Sequence, residues 1–131
     1  MAAAGSQSAP GIGIDLLEIE RLERALERSP RLAQRVFSAR ELEFAARRQR
    51  PGRHLAARFA AKEAALKCLG IGGLRLHEVE VEGGGDHAPR LRLHGSAAEA
   101  AQRLGVELAL SVTHSRELAA AAVVAHERRS G

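Results

Sequence analysis

A single cysteine, Cys68, is all the thiol chemistry this chain holds, so neither an intramolecular disulfide nor a thiolate metal cluster can form. A reducing compartment, the cytoplasm, is the expected home. Tryptophan and tyrosine are absent and only three phenylalanines are present, which removes most of the stacking surface that single-stranded nucleic acid uses. No apolar run nears the roughly 20 residues that cross a bilayer, and residues 1–9 lack the basic start and apolar middle of a signal peptide. Lysine is scarce as well: arginine far outnumbers it in a chain of formal charge +4. Planar guanidinium groups favour bidentate contacts to phosphate or carboxylate, so an acidic partner or a polyphosphate ligand fits; the scarcity of aromatics counts against nucleic acid, and no membrane partner is expected.

At 131 residues the chain is long enough for one domain and short enough that oligomerisation would help bury apolar surface. Residues 1–9 read as a flexible extension, 10–126 as the domain and 127–131 as a loose basic tail. An apolar, glycine-punctuated run at 12–17 predicts a strand, and Ile19, Leu22 and Leu26 at helical spacing predict a helix over 18–28 that Ser29-Pro30 ends. A short helical piece follows at 31–37. Ser38 to Glu41 has the capping-box pattern and opens a helix over 39–48. Pro51-Gly52 reads as a break before a central helix over 54–69, with Leu55, Phe59, Leu66 and Leu69 inward and Gly70 as its left-handed stop. Period-two alternation predicts a hairpin of strands 76–82 and 90–94 around the glycine-rich stretch 83–89. A second capping box at Ser96 to Glu99 opens a helix ending at Leu104-Gly105, and strands 106–113 and 118–125 close the chain. The expected fold is α+β, with antiparallel strands packed on helices. Gly11-Ile-Gly13 lacks the third glycine of a dinucleotide fingerprint.

Three segments carry the chemistry. Asp15 follows the apolar run Gly11-Ile-Gly-Ile, and Glu63 stands mid-helix in Arg58-Phe-Ala-Ala-Lys-Glu-Ala-Ala-Leu-Lys67. A carboxylate pair with ammonium groups nearby suits Mg²⁺ against phosphate, because Mg²⁺ takes one or two protein carboxylates and leaves the rest of its octahedron to phosphate and water. Taken alone, Asp15 could cap the following helix, and Glu63 could pair with Lys67 at i, i+4, worth only about 0.3 kcal/mol. Arg58 and Lys62 fall near the Glu63 face, Lys67 one turn on, as a stripe that could meet phosphate or solvent. Ser111-Val-Thr-His114 before an alanine-rich strand is the third segment; His54, His77, His87, His94 and His126 lack ligand spacing and receive no role.

In this order and spacing the segments resemble the holo-[acyl-carrier-protein] synthases, the short class of 4′-phosphopantetheinyl transferases. That resemblance implies a homotrimer with active sites between neighbouring subunits, Asp15 and Glu63 as ligands of Mg²⁺, and coenzyme A as co-substrate. It implies contacts to coenzyme A from Arg58, Lys62, Lys67, Gly70 and His114, and docking of an acidic apo acyl carrier protein on Arg21 and Arg28. The activity implied is transfer of the 4′-phosphopantetheine arm to a carrier serine with release of adenosine 3′,5′-bisphosphate. Lys67 would act as electrostatic clamp, and Glu63, directly or through a water, would take the serine proton. Two departures stand out: Ser115 replaces the aspartate that follows the histidine in many relatives, and the loop 70–73 is shorter than usual. The alternatives are a non-catalytic basic module gripping nucleotide or nucleic acid, and a structural oligomer in which Asp15 and Glu63 are merely paired.

Overall fold

The computed structural model describes residues 11–73 and 75–129; the extension at 1–9 and the last two residues of the tail lie outside them. Strand β1 (Ile12–Glu18) runs into α1 (Ile19–Arg28), α2 (Pro30–Val36), α3 (Ala39–Ala46) and the 19-residue α4 (Pro51–Leu69). A 3₁₀ turn (Leu76–Glu78) then leads to β2 (Val79–Gly84), β3 (His87–Leu93), α5 (Gly95–Leu104), β4 (Val106–His114) and β5 (Leu118–Glu127). The strands form two antiparallel sheets, one ordered β1-β5-β4 and one made of β2 and β3. The architecture is the α+β arrangement expected from the sequence.

Local chemistry sets most boundaries. At α3 the Ser38 hydroxyl accepts from the Glu41 N–H at 3.2 Å while the Glu41 carboxylate accepts from the Ser38 N–H at 2.9 Å, the capping box read from sequence. Pro30, which ends α1, also opens α2. Pro51 behaves the same way and corrects the expected break. It sits in the first turn of α4, where its missing N–H costs no hydrogen bond. The turn before it is carried by Arg50 at φ 52°. That left-handed backbone is held by the side chain, which reaches the Glu23 carboxylate at 3.2 Å and the Arg116 carbonyl at 2.6 Å. Gly70, at φ 72°, stops α4 as expected.

Three further expectations are corrected. The box at Ser96 and Glu99 does not form. His94 is the N-cap of α5, and the Glu78 carboxylate reaches in from the 3₁₀ turn, accepting from the Ser96 hydroxyl at 2.6 Å and the Ala97 N–H at 2.9 Å. The hairpin is tighter than the 83–89 loop expected, with Gly84 facing His87 across a two-residue turn and a register shift between Glu82 and Gly84. At the C-terminus β5 continues to Glu127, and the Arg128 N–H donates to the Gly105 carbonyl at 2.9 Å, so the loose tail begins later than residue 127.

Helix α4 fills the centre. Ala56, Ala60, Ala61, Ala64, Ala65 and Cys68 are fully buried, and these small side chains let β1 lie almost on the helix backbone. A Cβ placed on Gly13 would stand 1.9 Å from the Ala64 carbonyl oxygen. We therefore expect Gly13→Ala to destabilise the fold by on the order of 3 kcal/mol, the upper end of ordinary overpacking, because backbone must move. Gly72→Ala, which meets nothing within 4 Å, should stay within about 0.5 kcal/mol. Thermal unfolding of the pair checks this; equal stabilities would mean that β1 does not depend on the close approach.

Candidate active site

Side chains alternate along a strand, so the strand face that presses Gly13 on α4 also presents Asp15. Its side chain is only 16% exposed, and the Lys67 ammonium lies 3.1 Å from its carboxylate and 3.1 Å from the Ile14 carbonyl. Lys67 thus pairs with Asp15, not with Glu63 one turn before it. Asp15 and Glu63 line one trough of about 860 Å³ that also touches α1, α2 and the 3₁₀ turn, with Leu22, Leu32, Val36 and Phe59 as its apolar walls. The Glu63 carboxyl is pushed above the ordinary carboxylate range, first by burial and then by the charge of Asp15, with Lys67 opposing. Two carboxylates therefore share one ammonium, and a further cation between them would relieve the excess. Among the described residues no group of three or more His, Cys, Asp or Glu side chains converges. A hard cation held by this pair would keep most of its coordination sphere for phosphate oxygens and water, as Mg²⁺ requires. The donor set fits Mg²⁺.

The expected stripe of Arg58, Lys62 and Glu63 is divided by the helix. Glu63 and Lys67 face β1, whereas Arg58 and Lys62 face α3 and the β2–β3 hairpin. Lys62, expected at coenzyme A, is instead buried at 1% exposure, 2.8 Å from Glu41, with its amine also donating to the Leu76 and Val79 carbonyls. Glu41 in turn accepts from the Val81 N–H at 2.8 Å. This ion pair joins three elements inside the core and is not available to a ligand. Gly70 is likewise committed: its N–H donates to the Leu66 and Lys67 carbonyls as the helix stop, and no free donor is left for phosphate.

Arg58 and His114 come together in a second cleft of about 420 Å³, on the other side of α4. One Arg58 nitrogen donates to the Gly83 carbonyl at 2.8 Å and its guanidinium carbon lies 3.8 Å from the Phe44 ring centroid, yet its Nε is buried without a partner among the described residues. A buried N–H left open calls for a partner, and the cationic surroundings would suit an anion. Sequence reasoning missed Phe44, Arg48 and His54 in this cleft; its one signal was the concentration of basic residues between 47 and 58. Ser115 spans the β4–β5 turn, its hydroxyl accepting from the Glu117 and Leu118 N–H groups at 3.3 and 3.1 Å. On α1, Glu20 pairs with Arg24 and Glu23 with Arg50, so no ion-pair partner is found for Arg21 or Arg28 among the described residues. Arg21 stands at the trough that holds Asp15 and Glu63, and Arg28 beside the basic cleft of Arg31 and Arg35.

A sequence model of the 4′-phosphopantetheinyl transferase superfamily matches residues 11–123. Holo-[acyl-carrier-protein] synthases of Moorella thermoacetica and Streptomyces griseus are 49% and 46% identical to it, over 83% and 88% of this chain and 88% and 96% of theirs. The Chronobacterium ammoniagenes synthase, solved as a complex with coenzyme A, superposes with TM-score 0.80 at 31% identity, over 91% of this chain and 98% of its own. The Helicobacter pylori synthase with coenzyme A gives 0.75 at 26% identity, over 88% and 99%. The chain belongs to the 4′-phosphopantetheinyl transferase superfamily, and within it to the holo-[acyl-carrier-protein] synthases. It is an enzyme, and the non-catalytic alternatives fall away.

Two outcomes test the geometry. Lys62→Met strands the Glu41 carboxylate in the core and should cost about 3 kcal/mol or more, read by denaturant unfolding; a change under about 1 kcal/mol would show that the pair does not hold the core. For Glu63, a carboxyl that keeps its proton more tightly folded than unfolded adds stability at low pH and loses it as pH rises through its folded pKa. Glu63→Gln removes that loss, so in EDTA its Tm advantage over wild type should grow as pH is raised from about 4 to 7. A constant difference would mean that Glu63 does not titrate in this window.

Proposed function

We propose that this enzyme transfers the 4′-phosphopantetheine arm of coenzyme A to a serine hydroxyl of apo acyl carrier protein, with Mg²⁺, and releases adenosine 3′,5′-bisphosphate. The observation that carries the reading is the Asp15–Glu63 pair, with Lys67 beside it, at the head of an apolar trough. Asp15 and Glu63 would hold the Mg²⁺, which when bound supplies positive charge to the diphosphate as its P–O bond breaks. Lys67 adds an ammonium at the same place and fixes Asp15 in position. Glu63, its carboxyl already biased toward holding a proton, suits the serine proton, directly or through a water. The apolar walls suit the pantetheine arm, and Arg58 with its open Nε and His114 suit the 3′-phosphate at the other end of coenzyme A.

The trough and the Arg58–His114 cleft share no lining residue, and a homotrimer in which one protomer's carboxylates meet its neighbour's cleft accounts for that. The outer face of the β1-β5-β4 sheet supports it: Ile12, Ile14, Leu16, Leu118 and Val124 are all large, apolar and exposed. The carrier docks on α1, where Arg21 and Arg28 are free to meet an acidic surface. Fatty acid biosynthesis in the cytoplasm is the setting we assign, in keeping with the lone, buried Cys68 and with the absence, among the described residues, of a helix long and apolar enough to cross a membrane.

Incubation with coenzyme A, Mg²⁺ and an apo carrier protein, read by mass, should show the added arm; no mass gain on any acidic carrier would refute the reading. Asp15→Ala and Glu63→Gln should each remove most turnover, at least 100-fold if each deletes a metal ligand, and wild-type rates in either would take that residue out of the site. An equimolar mixture of Asp15→Ala and His114→Ala, unfolded and refolded together, should regain partial activity if sites form between subunits, and none if each protomer is self-sufficient. Arg21→Glu/Arg28→Glu should raise the carrier KM and leave coenzyme A binding alone, with wild-type carrier association weakening as salt screens the charges. An unchanged carrier KM rules out docking on α1.

A further inference from the structure

His54 has no role in the mechanism above, and its spacing on the chain suggested none. The fold nevertheless puts it in the centre of the Arg58–His114 cleft. Its ring makes edge-to-face contacts with His114 at 5.7 Å between centroids and with Phe44 at 6.0 Å. Charges face it from every element around it. Arg53 and Arg58 come from its own helix α4, Arg48 from the turn between α3 and α4, His114 from the end of β4, Asp86 from the β2–β3 turn and His87 from the start of β3. Asp86 is the one carboxylate on that lining. The Arg48 and Arg58 guanidinium carbons lie 3.4 and 3.8 Å from the Phe44 centroid, so two like charges are gathered over one ring. The Arg58 Nε, in a residue only 6% exposed, has no partner among the described residues. An empty polar donor inside a cluster of cations defines a subsite for a dianion.

We propose that His54 is a positioning residue of this subsite that couples capture of a phosphate monoester to uptake of a proton, holding His114 against the ligand as it does so. The proposal rests on the assignment of Arg58 and His114 to the 3′-phosphate of coenzyme A. In the free protein the His54 imidazole is biased toward its neutral form, first by burial and then by Arg53, His114, Arg48 and Arg58. A phosphate dianion placed among these groups counters the positive potential of Arg53, Arg48 and Arg58 and favours the imidazolium. By linkage, a ligand that raises a group's proton affinity binds more tightly as the pH falls toward that group's free value. The ligand's own titration works in the opposite sense: a phosphate monoester loses its second charge near about pH 6, which weakens binding on acidification. Tightening at lower pH therefore has to come from the protein. Dephospho-coenzyme A carries the same diphosphate without the monoester and serves as the internal control.

The test is calorimetric titration of the wild-type protein with coenzyme A and with dephospho-coenzyme A, at several pH values and in buffers of different ionisation enthalpy. We expect the coenzyme A Kd to tighten roughly threefold between about pH 7.5 and 6.5, with net proton uptake, since one coupled proton allows at most about tenfold per unit. Dephospho-coenzyme A should show neither. His54→Phe keeps an aromatic edge against Phe44 and His114 but cannot titrate, and it should abolish most of the uptake. Retention of full uptake in that variant, or equal uptake with both ligands, overturns the role of His54. Should the variant not fold, the wild-type His54 Cε1–H resonance, assigned by triple-resonance NMR, gives the same answer. Its titration should move to higher pH with adenosine 3′,5′-bisphosphate, and an unmoved midpoint overturns the proposal. Discrimination between the two ligands without proton uptake refutes His54 alone. Absence of discrimination at every pH refutes the 3′-phosphate assignment of Arg58 and His114, and the proposal with it.

Discussion

The contact between Gly13 and the Ala64 carbonyl governs how everything else is placed. A strand normally packs on a helix through side chains, about 10 Å away as sheets and helices commonly lie. Here glycine on one side and a run of alanines on the other remove that spacer. The approach fixes both the register and the depth of β1 against α4. The next inward residue on β1 is Asp15, and Glu63 immediately precedes Ala64 on α4. Two carboxylates that would repel each other are thus held near one another by apolar packing elsewhere, and the proton affinity of Glu63, raised first by burial, is raised further by the charge of Asp15.

The same helix has a second, electrically different side. Its Lys62 is neutralised within the core by Glu41, a charge pair whose desolvation is offset by hydrogen bonds to backbone groups of the 3₁₀ turn, β2 and α3. Arg58, one turn earlier, is buried with less compensation and keeps an open Nε. The chain's only two lysines both lie on α4, one used to close the core and one left at the carboxylates. A division of work between chemically similar groups arises from helical phase alone: positions 58 and 62 point one way, 63 and 67 another.

That division explains what could be read in the sequence. Asp15 and Glu63 stand out as candidates because charge in an apolar strand and in a mid-helix motif is costly and because both fall in the motifs of the family resemblance, whereas the capping box at Ser38 is legible because its chemistry is local. The core role of Lys62 is hidden in the sequence because its partner, Glu41, is far along the chain and has a local capping task of its own; the carboxylate does both. The helix start at Gly95 was misassigned for a related reason, since Glu78, from another element, takes the N–H groups that Ser96 and Glu99 would have satisfied. Pro51 has the look of a break in the sequence, but its fixed φ opens the helix. His54 could not be found from spacing at all, because its neighbours Phe44 and His114 meet it only in the folded chain.

Arg50 has a consequence for how a partner would meet this enzyme. Its side chain ties Glu23 on α1 to the carbonyl of Arg116 after β4, and its backbone sets the start of α4. Helix α1 is therefore lashed along its inner side to the same frame that carries the carboxylates, and Arg21 and Arg28 project from a rail whose angle is set at folding. A protein docking there would have only side chains to order, not a helix to orient. The entropy that such an association would otherwise lose in aligning the two surfaces would be smaller by that amount, and the distance from a partner on α1 to the carboxylates would be set by the free enzyme.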